Sequence, residues 1–201
     1  MRPIIPVLVS SLILTACVSE LAKDSQWRAV LRTDQFTDAR SCRVERGTPS
    51  RRSVERRYRT YSSAEFIVED RDGELRIGAV MEPTLPMSGD LQIRVDNLEA
   101  WTITLADTPL DTAPAMPSYD YGAQSEQATK AIEQVQGYTL KMASPYRLAA
   151  GDKARQILDQ ILKGHVVKYR LLGINAASSS TGQFEVDDAF RAAVAQCGFV
   201  E

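Results

Sequence analysis

The chain has few of the residues that most often build a catalytic or metal centre. It contains a single histidine, His165, and three cysteines in 201 residues. No pair of cysteines or histidines has the spacing of a zinc site, and no serine or cysteine lies in a nucleophile motif such as G-x-S-x-G. We therefore expect no catalytic residue, no metal and no cofactor.

An excess of charge of one sign is also missing. The 24 lysines and arginines nearly balance 26 acidic residues, which gives a formal net charge of −2. A balance of this kind gives no overall attraction for nucleic acid, so we expect no nucleic-acid partner. The hydrophobic fraction of 44% and the charged fraction of 25% are ordinary for a folded domain.

Long apolar runs are absent except near the beginning of the chain. Residues 4–13 are apolar apart from one proline and two serines. A run of this length is too short to cross a bilayer core of about 30 Å as a helix, but it is typical of the middle of a signal peptide. Leu14-Thr15-Ala16-Cys17 follows directly. This ending resembles the lipobox of bacterial lipoproteins, whose cysteine receives a diacylglyceryl group before cleavage and usually a further acyl chain afterwards.

The resemblance implies a lipid anchor on Cys17, which several acyl chains would make stable. We expect residues 1–16 to be a lipoprotein signal peptide, residues 17–26 a flexible tether and residues 27–201 a single periplasmic domain. Val18 follows the cysteine, and by the sorting rule of enteric bacteria it favours the outer membrane. The alternative is an ordinary cleaved signal in which Cys17 is incidental.

The two remaining cysteines, Cys42 and Cys197, lie near the two ends of the expected domain. Thiols of exported proteins commonly pair in an oxidising compartment, so we expect a disulfide between them. The alternative is two separate buried thiols.

Alternating apolar and polar residues predict strands in the first half of the chain. Asp72-Gly73 is a hairpin signal between two of them. The six predicted strands cover residues 26–32, 40–46, 65–70, 74–81, 91–95 and 101–105. Residues 107–122 contain three prolines and are predicted to form a long surface connection.

Helical spacing of apolar residues begins in the second half. The first predicted helix is capped by Ser125, stops at Gly137 and has a face formed by Ala128, Ala131, Ile132 and Val135. Asp152 is expected to cap a second helix that ends at Gly164, and Asp187 a third that ends before Gly198. Further strands are expected over residues 138–144, 165–172 and 182–186. The pattern predicts an α+β fold: an antiparallel β-sheet or β-sandwich-like domain with two or three helices in its C-terminal half.

Several polar residues are better explained by structure than by chemistry. His165 opens a predicted strand, so we interpret it as structural or solvent-facing. Asp187 and Asp188 fit helix capping and a favourable dipole better than cation binding. The run from Ser178 to Thr181 lacks the glycines and lysine of a phosphate-binding loop and fits a polar turn.

An arginine-rich block is the feature with the most functional promise. Residues 40–59 hold eight arginines against two glutamates, whereas residues 60–120 hold twelve acids against three arginines. Guanidinium groups bind phosphate and carboxylate in a forked geometry. The candidate anion- or partner-binding residues are Arg51, Arg52, Arg56, Arg57 and Arg59. The alternative is a solvated strand face that is neutralised by the acidic strands that follow.

Two stretches together resemble the invasion-associated locus B family of exported proteobacterial proteins. One runs from Arg76-Ile77-Gly78 through Pro83 to residues 89–96, and the other from residues 161–164 through Phe184-Glu185-Val186 to the final helix. The resemblance implies a β-sandwich-like exported domain without established catalytic residues. The chain departs from the family in having no cysteine between Cys42 and Cys197.

These patterns favour a non-enzymatic lipoprotein, anchored in the outer membrane and facing the periplasm, that acts as a binding or assembly module in the envelope or in host interaction. The expected partners are the membrane, through the lipid anchor, and an envelope protein, lipopolysaccharide or peptidoglycan. One alternative is a periplasmic inhibitor or immunity-type lipoprotein that blocks a hydrolase. A third is an envelope hydrolase, which would need a cleft that joins His165 to several carboxylates.

Overall fold

The structure, a computed structural model, describes residues 27–46, 63–82, 84–111, 126–173 and 180–199. Within these ranges the chain forms nine strands and three α-helices. In chain order they are β1 (Trp27–Thr33), β2 (Arg40–Arg46), β3 (Ser63–Arg71), β4 (Glu74–Glu82), β5 (Leu91–Val95), β6 (Trp101–Ile103), α1 (Glu126–Ala143), β7 (Tyr146–Ala150), α2 (Gly151–Lys163), β8 (Val166–Leu171), β9 (Ser180–Glu185) and α3 (Asp188–Gln196).

The strands form two antiparallel sheets. The five-stranded sheet has the order β1-β2-β3-β4-β7, and the four-stranded sheet has the order β6-β5-β8-β9. All neighbouring strands are antiparallel. The fold is therefore α+β with antiparallel sheets, and its helices lie in the C-terminal half, as the sequence predicts.

The core lies on the inner face of the five-stranded sheet. Helix α2 packs on β4 and β7, helix α3 packs on β1 and β2, and β3 contacts both β8 and β9 of the second sheet. In β2 the alternation is simple, because Cys42 and Val44 are buried while the residues between and beside them are not. In α2 the buried residues recur at helical spacing: Ala154, Ile157, Leu158 and Ile161.

An aromatic cluster joins the two sheets to α3. The ring of Trp27 lies 4.7 Å from that of Phe184 and 5.0 Å from that of Phe190, both centroid to centroid and both edge-on. Phe66 adds a further ring 4.9 Å from Phe184. Edge-to-face pairs of this kind stabilise a core beyond the area they bury.

The expected disulfide is present, because the sulfur atoms of Cys42 and Cys197 lie 1.97 Å apart. The bridge joins β2 to the C-terminal end of α3 across 155 residues of sequence. Asp187 caps the same helix, as predicted, and accepts a hydrogen bond from the Phe190 backbone N–H at 2.8 Å.

The region before β7 differs from the prediction. Helix α1 continues through Gly137 to Ala143, so the strand predicted over residues 138–144 is wrong, and the strand that follows is β7 instead. A single glycine costs a helix only about 1 kcal/mol, which the following turns offset. The predicted cap Asp152 is also wrong, because the N-cap of α2 is Ala150 and Asp152 lies in the first turn. Strand β6 ends at Ile103, earlier than the predicted residue 105.

Arg147 in β7 is buried, although the pattern of residues around it does not predict a buried arginine. Only 3% of this residue is exposed, and its guanidinium donates hydrogen bonds to the carbonyls of Met87, Gly89 and Tyr146. Burial lowers the pKa of this guanidinium. The contacts hold Met87 and Gly89, in the connection between β4 and β5, against β7.

Candidate functional site

The outer face of the four-stranded sheet carries a polar groove. Side chains alternate between the two faces of a strand, and the inward positions Leu91, Ile93 and Val167 are fully buried. The outward positions on β5, β8 and β9 are mostly polar or charged, and they include Gln92, Arg94, Lys168, Arg170, Thr181 and Gln183. At one end of the face the apolar Val166 lies opposite the exposed Glu185, which forms no ion pair with these cations.

The strand register brings three cations together. Arg94 pairs directly with Lys168 across β5 and β8, and Arg170 follows two residues along β8, opposite Gln92. Arg94, Lys168 and Arg170 are all exposed. Within the part of the chain that the structure describes, no Asp or Glu forms an ion pair with any of the three. Like charges opposite each other destabilise a sheet, so this arrangement costs stability.

Hydrogen bonds hold two of the cations in place. Arg94 donates from Nε to the carbonyl of Leu98 at 2.9 Å and from Nη2 to that of Asn97 at 3.1 Å, both in the β5–β6 turn. Arg170 donates from Nε to Oε1 of Gln92 at 2.8 Å. These bonds use only part of each guanidinium. Among the described residues, the Nη groups of Arg170 and the Nζ of Lys168 have no protein acceptor within hydrogen-bonding distance.

Behind the groove, on the inner face of the sheet, a glycine makes room for a tyrosine ring that packs against the core. Gly182 in β9 lies opposite Tyr169 in β8, and a Cβ atom at Gly182 would stand 2.2 Å from Cζ of that tyrosine. The tyrosine ring therefore lies over Gly182, and its hydroxyl donates to the carbonyl of Ala64 at 3.2 Å. Burial raises the pKa of Tyr169, so the hydroxyl stays protonated as a donor.

The groove has a volume of about 570 Å³. Its lining consists of Gln92, Arg94, Ala100, Lys168, Tyr169, Arg170, Thr181, Gly182 and Gln183. None of these residues is an acid, a histidine or a cysteine, and most can donate hydrogen bonds. The lining therefore suits the binding of an anion, since guanidinium and ammonium groups pair with phosphate and carboxylate oxygens.

The candidate residues proposed from sequence fall elsewhere. Cys17 lies outside the described residues, as do the arginine candidates. Those arginines are Arg51, Arg52, Arg56, Arg57 and Arg59. The structure therefore gives no position for either the lipidation site or the proposed binding arginines.

Two other arginines of the same block are described. Arg43 pairs with Glu69 on β3 at 2.7 Å, which is the cross-strand neutralisation offered as the alternative interpretation. Arg46 lies 5.2 Å above the ring of Trp27 and donates to the backbone carbonyl of Gln183 at 3.3 Å. Arg46 thus reaches β9, the strand that forms one edge of the groove.

His165 fits its interpretation as a solvent-facing residue. Its side chain is 89% exposed, and Asp96 is the one described carboxylate within 4 Å, with Nδ1 3.7 Å from Oδ2. The carboxylate of Asp96 accepts the backbone N–H groups of Val166 at 2.8 Å and His165 at 3.2 Å. These bonds, chiefly the one from Val166, lower the pKa of Asp96. Asp96 therefore stabilises the start of β8 by accepting hydrogen bonds from the backbone N–H groups there.

The sequence alone did not predict the groove, although the alternation of polar and apolar residues in each of its two central strands can be read from the sequence. Gln92-Ile93-Arg94 and Lys168-Tyr169-Arg170 both alternate polar and apolar residues. The pairing of β5 with β8 joins residues more than 70 positions apart. Only the register of that pair shows that the cations share one surface.

In the described ranges no group of three or more His, Cys, Asp or Glu side chains could hold a metal ion. None of the described helices is long and apolar enough to cross a membrane. Comparison of the chain with protein-family models, with curated proteins and with solved structures found no match. The chemistry of the groove is therefore the main guide to function.

Proposed function

We propose that this chain is a non-enzymatic binding module of the bacterial envelope, and that its groove binds an anionic ligand. The observation that carries the proposal is the cluster of Arg94, Lys168 and Arg170 on one sheet face without a described carboxylate partner. Without a ligand, the sheet would be more stable if these like charges were apart or alternated with charges of the opposite sign. A bound anion would relieve the repulsion and use the donors that have no acceptor among the described residues.

The expected ligand group is a phosphate or a carboxylate of the envelope. Lipopolysaccharide offers phosphates and peptidoglycan offers carboxylates. A groove of about 570 Å³ is in the size range of small-molecule sites, so a sugar or peptide unit that bears the anion would fit as well. The amide and hydroxyl groups of Gln92, Gln183 and Thr181 would bind the neutral part of such a ligand.

The proposed location is the outer membrane, with the domain in the periplasm and an anchor on Cys17. The lipobox-like ending before Cys17 supports the anchor. The Cys42–Cys197 pair supports an oxidising compartment, because structural disulfides are rare in the cytosol. The resemblance to the invasion-associated locus B family agrees with an exported domain of two antiparallel sheets.

Binding is tested with the full chain carrying Cys17→Ser, titrated with lipopolysaccharide in one arm and with soluble peptidoglycan fragments in the other. The proposal expects binding in one arm that weakens as salt rises. The double variant Lys168→Gln/Arg170→Gln should lower affinity at least tenfold. Arg155→Gln, which removes one charge from the exposed side of α2, should leave it unchanged.

Absence of binding in both arms, or equal loss in both variants, would reject the groove as the binding site. Specific co-purification of a lytic enzyme, unaffected by the groove substitutions, would instead favour the inhibitor interpretation. Inorganic phosphate and acetate serve as minimal probes for the ligand group itself.

The anchor is tested separately by membrane fractionation of the producing bacterium. Cys17→Ser should lower the fraction of the protein that sediments with the membrane, whereas the matched variant Cys42→Ser/Cys197→Ser should leave that fraction unchanged. Retention of the Cys17→Ser chain in the membrane at the level of the unaltered protein would reject lipid anchoring through this residue.

A further inference from the structure

Helix α1 carries a row of large apolar side chains that face away from the domain. Ile132, Val135, Tyr138 and Met142 are spaced by three, three and four residues, which places them on one face of a helix. Their exposed fractions are 41%, 66%, 59% and 53%. Surface helices normally turn such a face toward the core, whereas these four residues, the α1 stripe, stay largely exposed. Only part of Tyr138 is turned inward, where it is close enough to the buried Arg147 to interact with it electrostatically.

The opposite face of α1 is the one that contacts the domain. Gln136, Gly137, Leu140 and Lys141 are half-buried. Lys141 donates from Nζ to the carbonyl of Ala106 at 2.9 Å, and a Cβ at Gly137 would lie 3.9 Å from Leu110. These contacts are made by the face of α1 opposite the α1 stripe.

The size of the stripe argues against a stable dimer as its occupant. With about half of each side chain exposed, the four residues offer on the order of 400 Å², whereas a stable interface needs about 800 Å² per partner. A lipid surface sets no such minimum, because an apolar helix face can lie in the boundary between headgroups and acyl chains.

The topology places the C-terminal end of α1 at the end of the five-stranded sheet where β1 begins. Strands β1, β3 and β7 run in the same direction, since each neighbour in the order β1-β2-β3-β4-β7 is antiparallel. Strands β1 and β7 therefore begin at the same end of the sheet. The tether arrives there at Trp27 and the C-terminal end of α1 arrives there at Tyr146. Ten tether residues reach at most about 35 Å, so this end must stay near any membrane that holds Cys17.

We propose that α1 lies on the lipid surface of the membrane that carries the anchor, with the α1 stripe in contact with the acyl-chain boundary. This inference rests on the anchored location in the proposed function, but not on the groove. Tyr138 suits such a position, because tyrosine combines an apolar ring with a polar hydroxyl and is enriched at membrane interfaces. The charged residues of α1 are Glu126, Lys130, Glu133 and Lys141, which cancel, so the contact depends on apolar burial and not on anionic lipid.

The test uses the mature chain, residues 17–201 with Cys17→Ser and without the apolar leader, and vesicles of neutral phosphatidylcholine, separated by sedimentation. The chain should bind, and Val135→Asp/Met142→Asp should lower the bound fraction at least tenfold. Leu31→Asp is the matched control, because Leu31 is also 66% exposed but lies near the other end of β1. It should leave binding unchanged, as should Lys168→Gln in the groove.

Circular dichroism of each variant verifies folding, since the substituted side chains are exposed. The inference is wrong if the chain does not bind neutral vesicles, or if Leu31→Asp lowers binding as much as the stripe variant. It is also wrong if the stripe variant abolishes a dimer seen by sedimentation velocity, because the occupant is then a second copy. Failure of the anchor is tested separately in cells with the combined variant Cys17→Ser/Val135→Asp/Met142→Asp, because retention of that chain at the level of the unaltered protein cannot come from the α1 stripe.

Discussion

Substitution of Lys168 should separate the stability of the second sheet from its binding function. Lys168 lies directly opposite Arg94, and no described carboxylate pairs with either. If their charged groups stand about 6 Å apart in water, Coulomb's law gives a repulsion of about 0.7 kcal/mol. Lys168→Gln should remove this repulsion. Lys168→Glu should replace it with an attraction of similar size, a total gain of about 1.4 kcal/mol at low salt.

The assay is urea unfolding at low and at high ionic strength, analysed by linear extrapolation. We expect the order of stability to be Lys168→Glu, then Lys168→Gln, then the unaltered chain. The differences should shrink in 1 M salt, where the Debye length is about 3 Å. Anion binding should follow the reverse order, because each substitution removes positive charge from the groove.

Arg155→Gln is the control, since it removes a charge from an exposed helix position and should alter stability by no more than about 0.5 kcal/mol. A Lys168→Glu chain that is less stable than the unaltered protein would refute the reasoning. It would mean that the opposed cations are not in conflict, and that their placement is no evidence for an anion site.

Three further outcomes follow from the structure. Replacing Cys42 and Cys197 by alanine should lower the free energy of unfolding by up to about 5 kcal/mol, because the bridge closes a loop of 155 residues; a urea midpoint equal to that of the oxidised protein would contradict this. Asp96→Asn should lower the stability at neutral pH but not in acid. The pKa of Asp96 in the folded protein lies below its ordinary value of 3.8. The carboxylate therefore stabilises the fold above pH 3.8, and this contribution disappears as the pH falls through the folded pKa. Thermal unfolding from pH 7 to pH 2 checks the sign, and a constant difference would contradict it. Gly182→Ala should cost about 1–3 kcal/mol through its clash with Tyr169, and Tyr169→Ala should absorb most of that cost in a double-mutant cycle, whereas strictly additive losses would argue against the contact.

Regular alternation and clear turn residues made some elements predictable. Strand β5 matches its predicted limits because apolar and polar residues alternate over its whole length and a turn follows. The cap at Asp187 was equally readable, since a carboxylate before an apolar helix face is a local signal. Both features depend on neighbours within a few residues, which the sequence displays directly.

Other elements depend on contacts that the sequence does not display. Residues 138–144 have tyrosine and threonine near their start, which favours a strand, but they continue α1, and Lys141 of this helix donates to the carbonyl of Ala106 in the segment after β6. An arginine is normally expected at the surface, yet Arg147 is buried. Inside the fold its charged guanidinium donates hydrogen bonds to the backbone carbonyls of Met87, Gly89 and Tyr146. The groove likewise exists only because two distant strands pair in one register.

The bridge between β2 and the end of α3 also constrains the order of events during maturation. Cys42 cannot meet its native partner until 155 further residues have followed it, so for most of the time in which the chain emerges the nearest thiol is Cys17, only 25 positions earlier. Acylation of Cys17 would withdraw that competing thiol before a wrong bridge could form. In a chain processed this way, the lipid would act as a protecting group as well as an anchor, and correct oxidation would depend on the enzymes that attach it.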